Sequence, residues 1–462
     1  METNAENQDN SGNIQNDTKV DDEQKSKGFT KRQILTLVSI SIANLADLTS
    51  FSILAPFFPI EANKMGASDT VVGLVFGCFA LVGFIVSPIL GKFLPQIGSK
   101  FMFLSGSFVC GCCVIIFGFL NKLDPGTEFI VFCFVVRTIE AVGAAASDTA
   151  GYAIIAKTFP DHVSTTFGIL EIFCGLGYMI GPPLGGYLYQ VGGYTLPFIV
   201  LGSCTIAVAL GNFFILPQQT EDSKPGSGSV LQLLSIPSIL VTSACVLISS
   251  MALGFLNPTF AKHLQQFNLS STMVGVMFLI ISATYAVSAF FNGIITDKLN
   301  IAKLLMIIGN IGCGAAYLYI GPSPLLYTKS QLWIVIFSVT VLGISLGCSV
   351  VPAFNDLFIT ARWYGMPDNM GTQGVVSGVY NGLFSLGNFI GPTAGGALSE
   401  AVGFDWASTV FAILYLLVAL LLAVFCLWEY QCGKGRRVAK QQASVVTSVN
   451  PDTDERSPLL SA

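Results

Sequence analysis

Charge is what this chain of 462 residues most lacks. Only 11% of it is Asp, Glu, Lys or Arg, against about 25% in soluble domains. With 52% hydrophobic residues and a mean hydropathy of +0.69, the composition excludes an ordinary soluble domain and points to a membrane protein. Histidine occurs twice, and no Cys-x-x-Cys pair has partner histidines, which argues against a zinc centre. Most of the twelve cysteines (Cys78, Cys110, Cys112, Cys113, Cys133, Cys174, Cys348 and Cys426 among them) lie in apolar runs and read as small buried residues, not a disulfide framework. The net charge of -5 and the absence of a basic patch exclude nucleic acid as a partner. No nucleophile, base and oxyanion set occurs at matching depth, so neither an enzyme nor a bound cofactor is expected. About thirty polar residues open the chain, so no cleaved signal peptide is expected and the first apolar run must direct insertion.

What is present is a series of apolar runs, each near the roughly 20 residues that cross a bilayer. They lie near 33–59, 70–94, 101–120, 129–156, 165–189, 195–216, 236–260, 272–295, 303–320, 332–358, 372–398 and 405–428. The expectation is an all-α membrane protein of twelve transmembrane helices: an N-terminal tail 1–30, a six-helix bundle 31–216, a linker 217–235, a second bundle 236–430 and a C-terminal tail 431–462. Basic residues favour the segments that would share a side with both termini: Lys31, Arg32, Lys92, Lys100, Lys157, Lys224, Lys298, Lys303, Arg362, Lys434, Arg436 and Arg437. Lys64, Lys122, Lys262 and Lys329 fall on the other side. The positive-inside rule then places both termini in the cytosol.

The two halves repeat. Pro56, Thr70, Gly73 and Gly91 recur 202 positions later as Pro258, Thr272, Gly275 and Gly293. Gly177, Gly181, Pro182, Gly185 and Gly186 recur 210 positions later as Gly387, Gly391, Pro392, Gly395 and Gly396. Two homologous halves imply a site between them at mid-membrane and alternating access by rocking.

These motifs resemble the major facilitator superfamily over residues 31–430. The stretch from Gly293 to Asp297 and Lys298 is similar to that family's loop signature, which implies a gate latch; its first-half counterpart has Pro95 where the family has aspartate. Arg137, Glu140 and Gly143 resemble the fourth-helix motif, and Gly181-Pro182 the antiporter motif of the fifth helix. The second copy at Gly391-Pro392, with "GASDTVVGLVFGCFAL" and "GLGYMIGPPLGGYLYQ", resembles the vesicular amine transporters, in particular their polyamine branch. The resemblance implies an antiporter that loads organic cations into acidic vesicles against protons, and so depends on a vesicular proton pump. It also matches Asp47 to an amine-binding aspartate of the monoamine carriers. Their coupling lysine and eleventh-helix aspartate are replaced here by Phe79 and Asn381, and their tenth-helix acid is missing near Gly347.

A charge at the centre of a membrane helix costs about 2.5–3.5 kcal/mol and needs a reason. Asp47 lies fifteen residues after Arg32, about 22 Å along a helix. It reads either as the counter-ion of a substrate ammonium or as a carboxyl capped by Thr49 or Ser50. Arg137 and Glu140, three apart, read as a structural pair or as site residues. Asp148 has no basic neighbour one turn away, so it must take a proton or face water. The substrate-binding candidates are Asp47, Glu140, Glu171, Asn257, Tyr285 and Asn381, and the proton-coupling candidates are Glu140, Asp148 and Glu171. Arg137, Gly181, Pro182, Gly391, Pro392, Gly293 and Asp297 are assigned to structure or gating. Asp356 reads as a gate residue. In the tail, Glu455 with Leu459 and Leu460 resembles an acidic dileucine signal for clathrin adaptors, which places the chain in endolysosomal or secretory vesicles, synaptic vesicles included. Asn268 with Ser270 forms a glycosylation sequon on the other side. A multidrug proton antiporter and a non-transporting receptor on the same fold remain open alternatives.

Overall fold

The computed structural model describes residues 29–54, 57–216, 229–269, 271–326 and 330–431. Twelve long helices carry the described chain: α1 (Lys31–Ser52), α2 (Asp69–Ile97), α3 (Ser99–Phe117), α4 (Thr127–Thr158), α5 (Val163–Gly192), α6 (Thr195–Ile215), α7 (Pro237–Leu264), α8 (Ser271–Leu299), α9 (Ala302–Ile320), α10 (Leu332–Trp363), α11 (Met370–Ile390) and α12 (Phe404–Gln431). There is no strand among the described residues. Eleven of these helices are long and apolar enough to cross a membrane. The remaining one, α11, is rich in Gly, Ser and Asn and continues through a π turn at Gly391–Gly395 into a short helix, Gly396–Val402. Residues 370–382 of α11 are buried throughout, so neighbouring helices rather than lipid take up its polar side chains.

One sequence expectation shifts at a helix end. The first apolar run, expected near 33–59, is helical only to Ser52, and a separate short helix spans Phe58–Lys64. The chain runs unbroken through Pro88, Pro182, Pro183, Pro258 and Pro352, each inside its helix, while Pro392 sits in the π turn, a common local answer to a missing N–H. Pro56, most of the linker, the tails with Glu455, Leu459 and Leu460, and Ser270 of the sequon lie outside the described residues.

The repeat is visible as packing. A Cβ on Gly181 would sit 1.8 Å from Ser52 Oγ and 2.9 Å from the Thr49 carbonyl oxygen; on Gly391 it would meet the Met251 carbonyl oxygen at 2.2 Å. Thr49 and Met251 are themselves 202 positions apart, so α5 on α1 and α11 on α7 are the same contact made twice. Gly106 approaches the Gly143 carbonyl oxygen and Ser147 N, and Gly309 likewise approaches those of Ser345 and Ser349. Small residues let helix backbones touch where no hydrophobic force drives helix association.

The halves meet through α2 with α11 and α5 with α8. An even number of passes returns the chain to one face, here called the near face, which carries Lys31 and Gln431. There Gly91 lies against the Gly374 carbonyl and Gly293 against that of Ser164. Asp297 of α8 accepts the backbone N–H groups of Ser164 and Thr165 at 3.0 and 2.7 Å, a carboxylate at the positive end of α5. Just inside, Phe167 stacks on Phe354 at 4.2 Å, and Tyr152 and Tyr380 abut both rings edge-on. The buried core is continuous across both halves only on this side; toward the far face it divides into one cluster per half. The molecule is closed at its near face.

Candidate functional site

Directly above the aromatic plug, the carboxyls of the first half gather. Asp47 of α1 is half-buried, and its Oδ2 faces the hydroxyls of Ser107 (3.3 Å) and Ser147 (3.4 Å), which are 2.8 Å from each other. Two hydroxyl protons cannot make all three contacts at once, so this carboxylate is weakly held. Its second oxygen, Oδ1, is buried with no partner, as is Oδ1 of Asn44, one turn earlier on α1. Thr49 and Ser50, the alternative caps for Asp47, are engaged elsewhere: Thr49 donates to the Leu45 carbonyl and Ser50 pairs with Thr205.

Asp148 of α4 is a charge neighbour of Asp47 and of Glu171. It is hydrogen-bonded by Asn381 of α11, in the other half, whose amide also donates to Ser87 Oγ at 3.1 Å. Glu171 of α5 accepts the hydroxyl of Tyr285 of α8 at 2.9 Å. Two first-half acids are thus tied across the interface by neutral second-half donors.

Glu140 is paired within its own helix. Arg137 donates to it at 2.8 Å, with the side chains 0% and 6% exposed. The guanidinium lies 4.7 Å from the ring centre of Phe79, 5.3 Å from Phe51 and 6.0 Å from Phe76. Phe79 thus presents an aromatic face to Arg137. Asn257 is exposed on α7, and no hydrogen bond joins it to the carboxyls. Asp356 is fully buried in the second half and accepts from Thr242 at 2.7 Å.

Sequence reasoning missed Asn44, Ser107, Ser147 and Ser87. The available signal was the i, i+3 spacing of Asn44 and Asp47 and the adjacency of Ser147 to Asp148. No group of three or more metal-ligating side chains occurs among the described residues.

The model of the Major Facilitator Superfamily matches residues 40–246 and again 239–450, once per half. The chain is a member of the Major Facilitator Superfamily. It is 41% identical to the mouse MFS-type transporter SLC18B1 over 94% of each chain, and 40% identical to the human protein of that name over 94% of this chain and 93% of the relative. The human synaptic vesicular amine transporter is 26% identical, over 78% of this chain and 68% of its own length. Among solved structures, that of the human organic anion transporter MFSD10 (TETRAN) superposes with a TM-score of 0.67 at 17% identity, covering 84% of this chain and 99% of its own, a likeness of fold alone. This superfamily member thus groups with proteins named as transporters, not enzymes.

Proposed function

We propose that the chain is a secondary transporter that exchanges organic cations, polyamines or monoamines, for protons, loading them into acidic vesicles by alternating access. The observation that carries this reading is the set of Asp47, Asp148 and Glu171, charge neighbours in one cluster whose bonded partners are hydroxyls and an amide, with Asp47 Oδ1 left open. Carboxylates withdrawn from water without a counter-charge are costly. A bound cation or bound protons remove that cost, and because both use the same groups they compete. Competition for one set of carboxyls is the physical basis of exchange. Several acids with no basic side chain bonded to them favour a substrate with more than one positive charge.

The vesicular setting draws support from the named amine-transporter relatives, and the near face as cytosolic from its basic residues. In that orientation the described conformation faces the lumen. Purified protein in liposomes with an acidic interior should accumulate labelled spermidine or serotonin saturably, collapse with the pH gradient, and lose at least about tenfold in uptake for Asp47→Asn. Liposomes that hold their gradient yet take up neither label, or an Asp47→Asn protein equal to wild type, would overturn the assignment.

A further inference from the structure

The pseudo-twofold relation exposes an asymmetry. Glu171 and Asn381 are symmetry mates, 210 positions apart, and both reach into the opposite half. Tyr285, the partner of Glu171, has Gly83 as its own mate, 202 positions earlier. One interface therefore carries a Glu–Tyr bridge, and the other carries an Asn that reaches past Ser87 to Asp148. The first bridge lies within the α5–α8 contact and the second spans α11 to α2 and α4, the contacts that join the halves at the near face, and both must break when those seams part.

We infer that Tyr285 and Asn381 are positioning residues that lock the near face closed, and that the negative charge on Glu171 and Asp148 keeps the lock engaged. The inference rests on the exchange reading above and supplies its coupling step. When the seams part, each carboxylate loses a cross-half donor in a poorly solvated place, a loss far larger for a charged group than for a neutral one. A bound cation or proton removes that penalty, so the loaded or protonated protein reopens and the empty, charged protein stays shut. Among the described residues, the other titratable groups facing the two acids are Asp47 from α1, Cys110 from α3, Tyr152 from α4, Cys174 and Tyr178 from α5 and Tyr380 from α11; none of these is basic.

The test reads opening without substrate. Ser164, fully buried at the near-face end of α5, is replaced by cysteine, and its labelling by a membrane-impermeant maleimide is followed by mass spectrometry of that peptide. At neutral pH, adding Tyr285→Phe or Asn381→Leu should speed labelling about tenfold, and Asn381→Asp, which sets a like charge against Asp148, should do so too. Spermidine should speed labelling in the Ser164→Cys protein and change it little in the unlocked variants. If a donor variant misfolds by gel filtration, Glu171→Gln and Asp148→Asn probe the same bonds from the other side and should also open the near face. Unchanged labelling in folded variants of both kinds would overturn the lock. Faster labelling in a protein that moves no spermidine against protons would uphold the lock and remove the transport assignment instead.

Discussion

Glu140→Gln tests whether Arg137 and Glu140 form a structural unit or part of the cation site. The glutamine keeps the shape but removes the charge facing a guanidinium that is 0% exposed. Arg137 cannot shed its proton, so an uncompensated cation remains in the first-half core, and breaking a buried pair in this way costs about 3–5 kcal/mol. The aromatic rings around Arg137 recover part of that, about 2 kcal/mol for a desolvated cation–π contact, which leaves a net loss of roughly 1–3 kcal/mol. Removing both charges together, in Arg137→Met with Glu140→Leu, leaves no buried charge behind and should restore most of the stability, since apolar replacements of buried pairs are often neutral. The assay is thermal unfolding of wild type, Arg137→Met, Glu140→Leu and the double variant in one detergent, read as a double-mutant cycle, with Glu140→Gln measured alongside. A coupling of at least about 1 kcal/mol, with the double variant more stable than Glu140→Gln, confirms the structural pair. Additive losses, together with a spermidine KM raised by Glu140→Gln at unchanged stability, would refute it and return Glu140 to the substrate site.

At the helix seams, Gly391→Val would place its Cβ 2.2 Å from a backbone oxygen of α7, whereas Gly175→Ala on α5 meets nothing within 4 Å; the first should cost more than the usual 1–3 kcal/mol of overpacking and the second almost nothing, measured as melting temperatures in one detergent. Asp297→Asn weakens two bonds to the α5 N-terminus and should speed near-face labelling of a Ser164→Cys protein about fivefold or more; equal rates would show that the cap does not latch the gate. On the far face, Lys64 and Tyr189 both donate to Glu61, in that order of effect, and hold its carboxyl below its ordinary value of 4.5. Its stabilisation is complete above that value and is lost as pH falls through the lower folded value. Tyr189→Phe should therefore narrow the difference in melting temperature between pH 6 and pH 3, and an undiminished difference would exclude the bond.

The scaffold was largely readable beforehand because its determinants are periodic or repeated. The glycines at 177, 181 and 185 and their copies marked a contact that recurs, and the structure shows Gly177, Gly181, Gly387 and Gly391 against the backbone of α1 or α7. The i, i+3 spacing of Arg137 and Glu140 was enough to anticipate their pairing. The neutral members of the site were not readable. Ser107 and Ser147 are single small polar residues inside apolar runs, and such residues commonly just bond back to a carbonyl one turn earlier, as Thr36 and Thr158 do. That these two instead face Asp47 depends on how α1, α3 and α4 pack, which no single helix records. The bridge from Asn381 to Asp148 joins residues 233 positions apart in different halves, and neither neighbourhood announces it.

The same duplication shows how the carboxyl cluster is confined to the first half. Asp47, Ser107 and Ser147 correspond, at offsets of 202, 203 and 202 positions, to Ser249, Asn310 and Ser349. The second-half copy is a fully buried network: Ser349 Oγ lies 3.2 Å from Ser249 Oγ, 3.2 Å from Asn310 Nδ2 and 3.0 Å from Cys245 Sγ, and all four residues are 0% exposed. Its chemistry is the hydrogen bonding of the first-half cluster without the carboxyl and without the open edge. A Ser249→Asp substitution would enclose a carboxylate among a thiol, an amide and a hydroxyl with no cation to meet it, a penalty of several kcal/mol. Asp47→Ser removes a half-buried charge that is only weakly held, so it should leave stability nearly intact while abolishing cation exchange. Unfolding temperatures should therefore fall far more for Ser249→Asp than for Asp47→Ser, and the reverse order would mean that the two clusters do not differ in access. If the order holds, the two halves divide the work by exposure: one opens its acids to the cation, and the other supplies neutral donors that report whether those acids are filled.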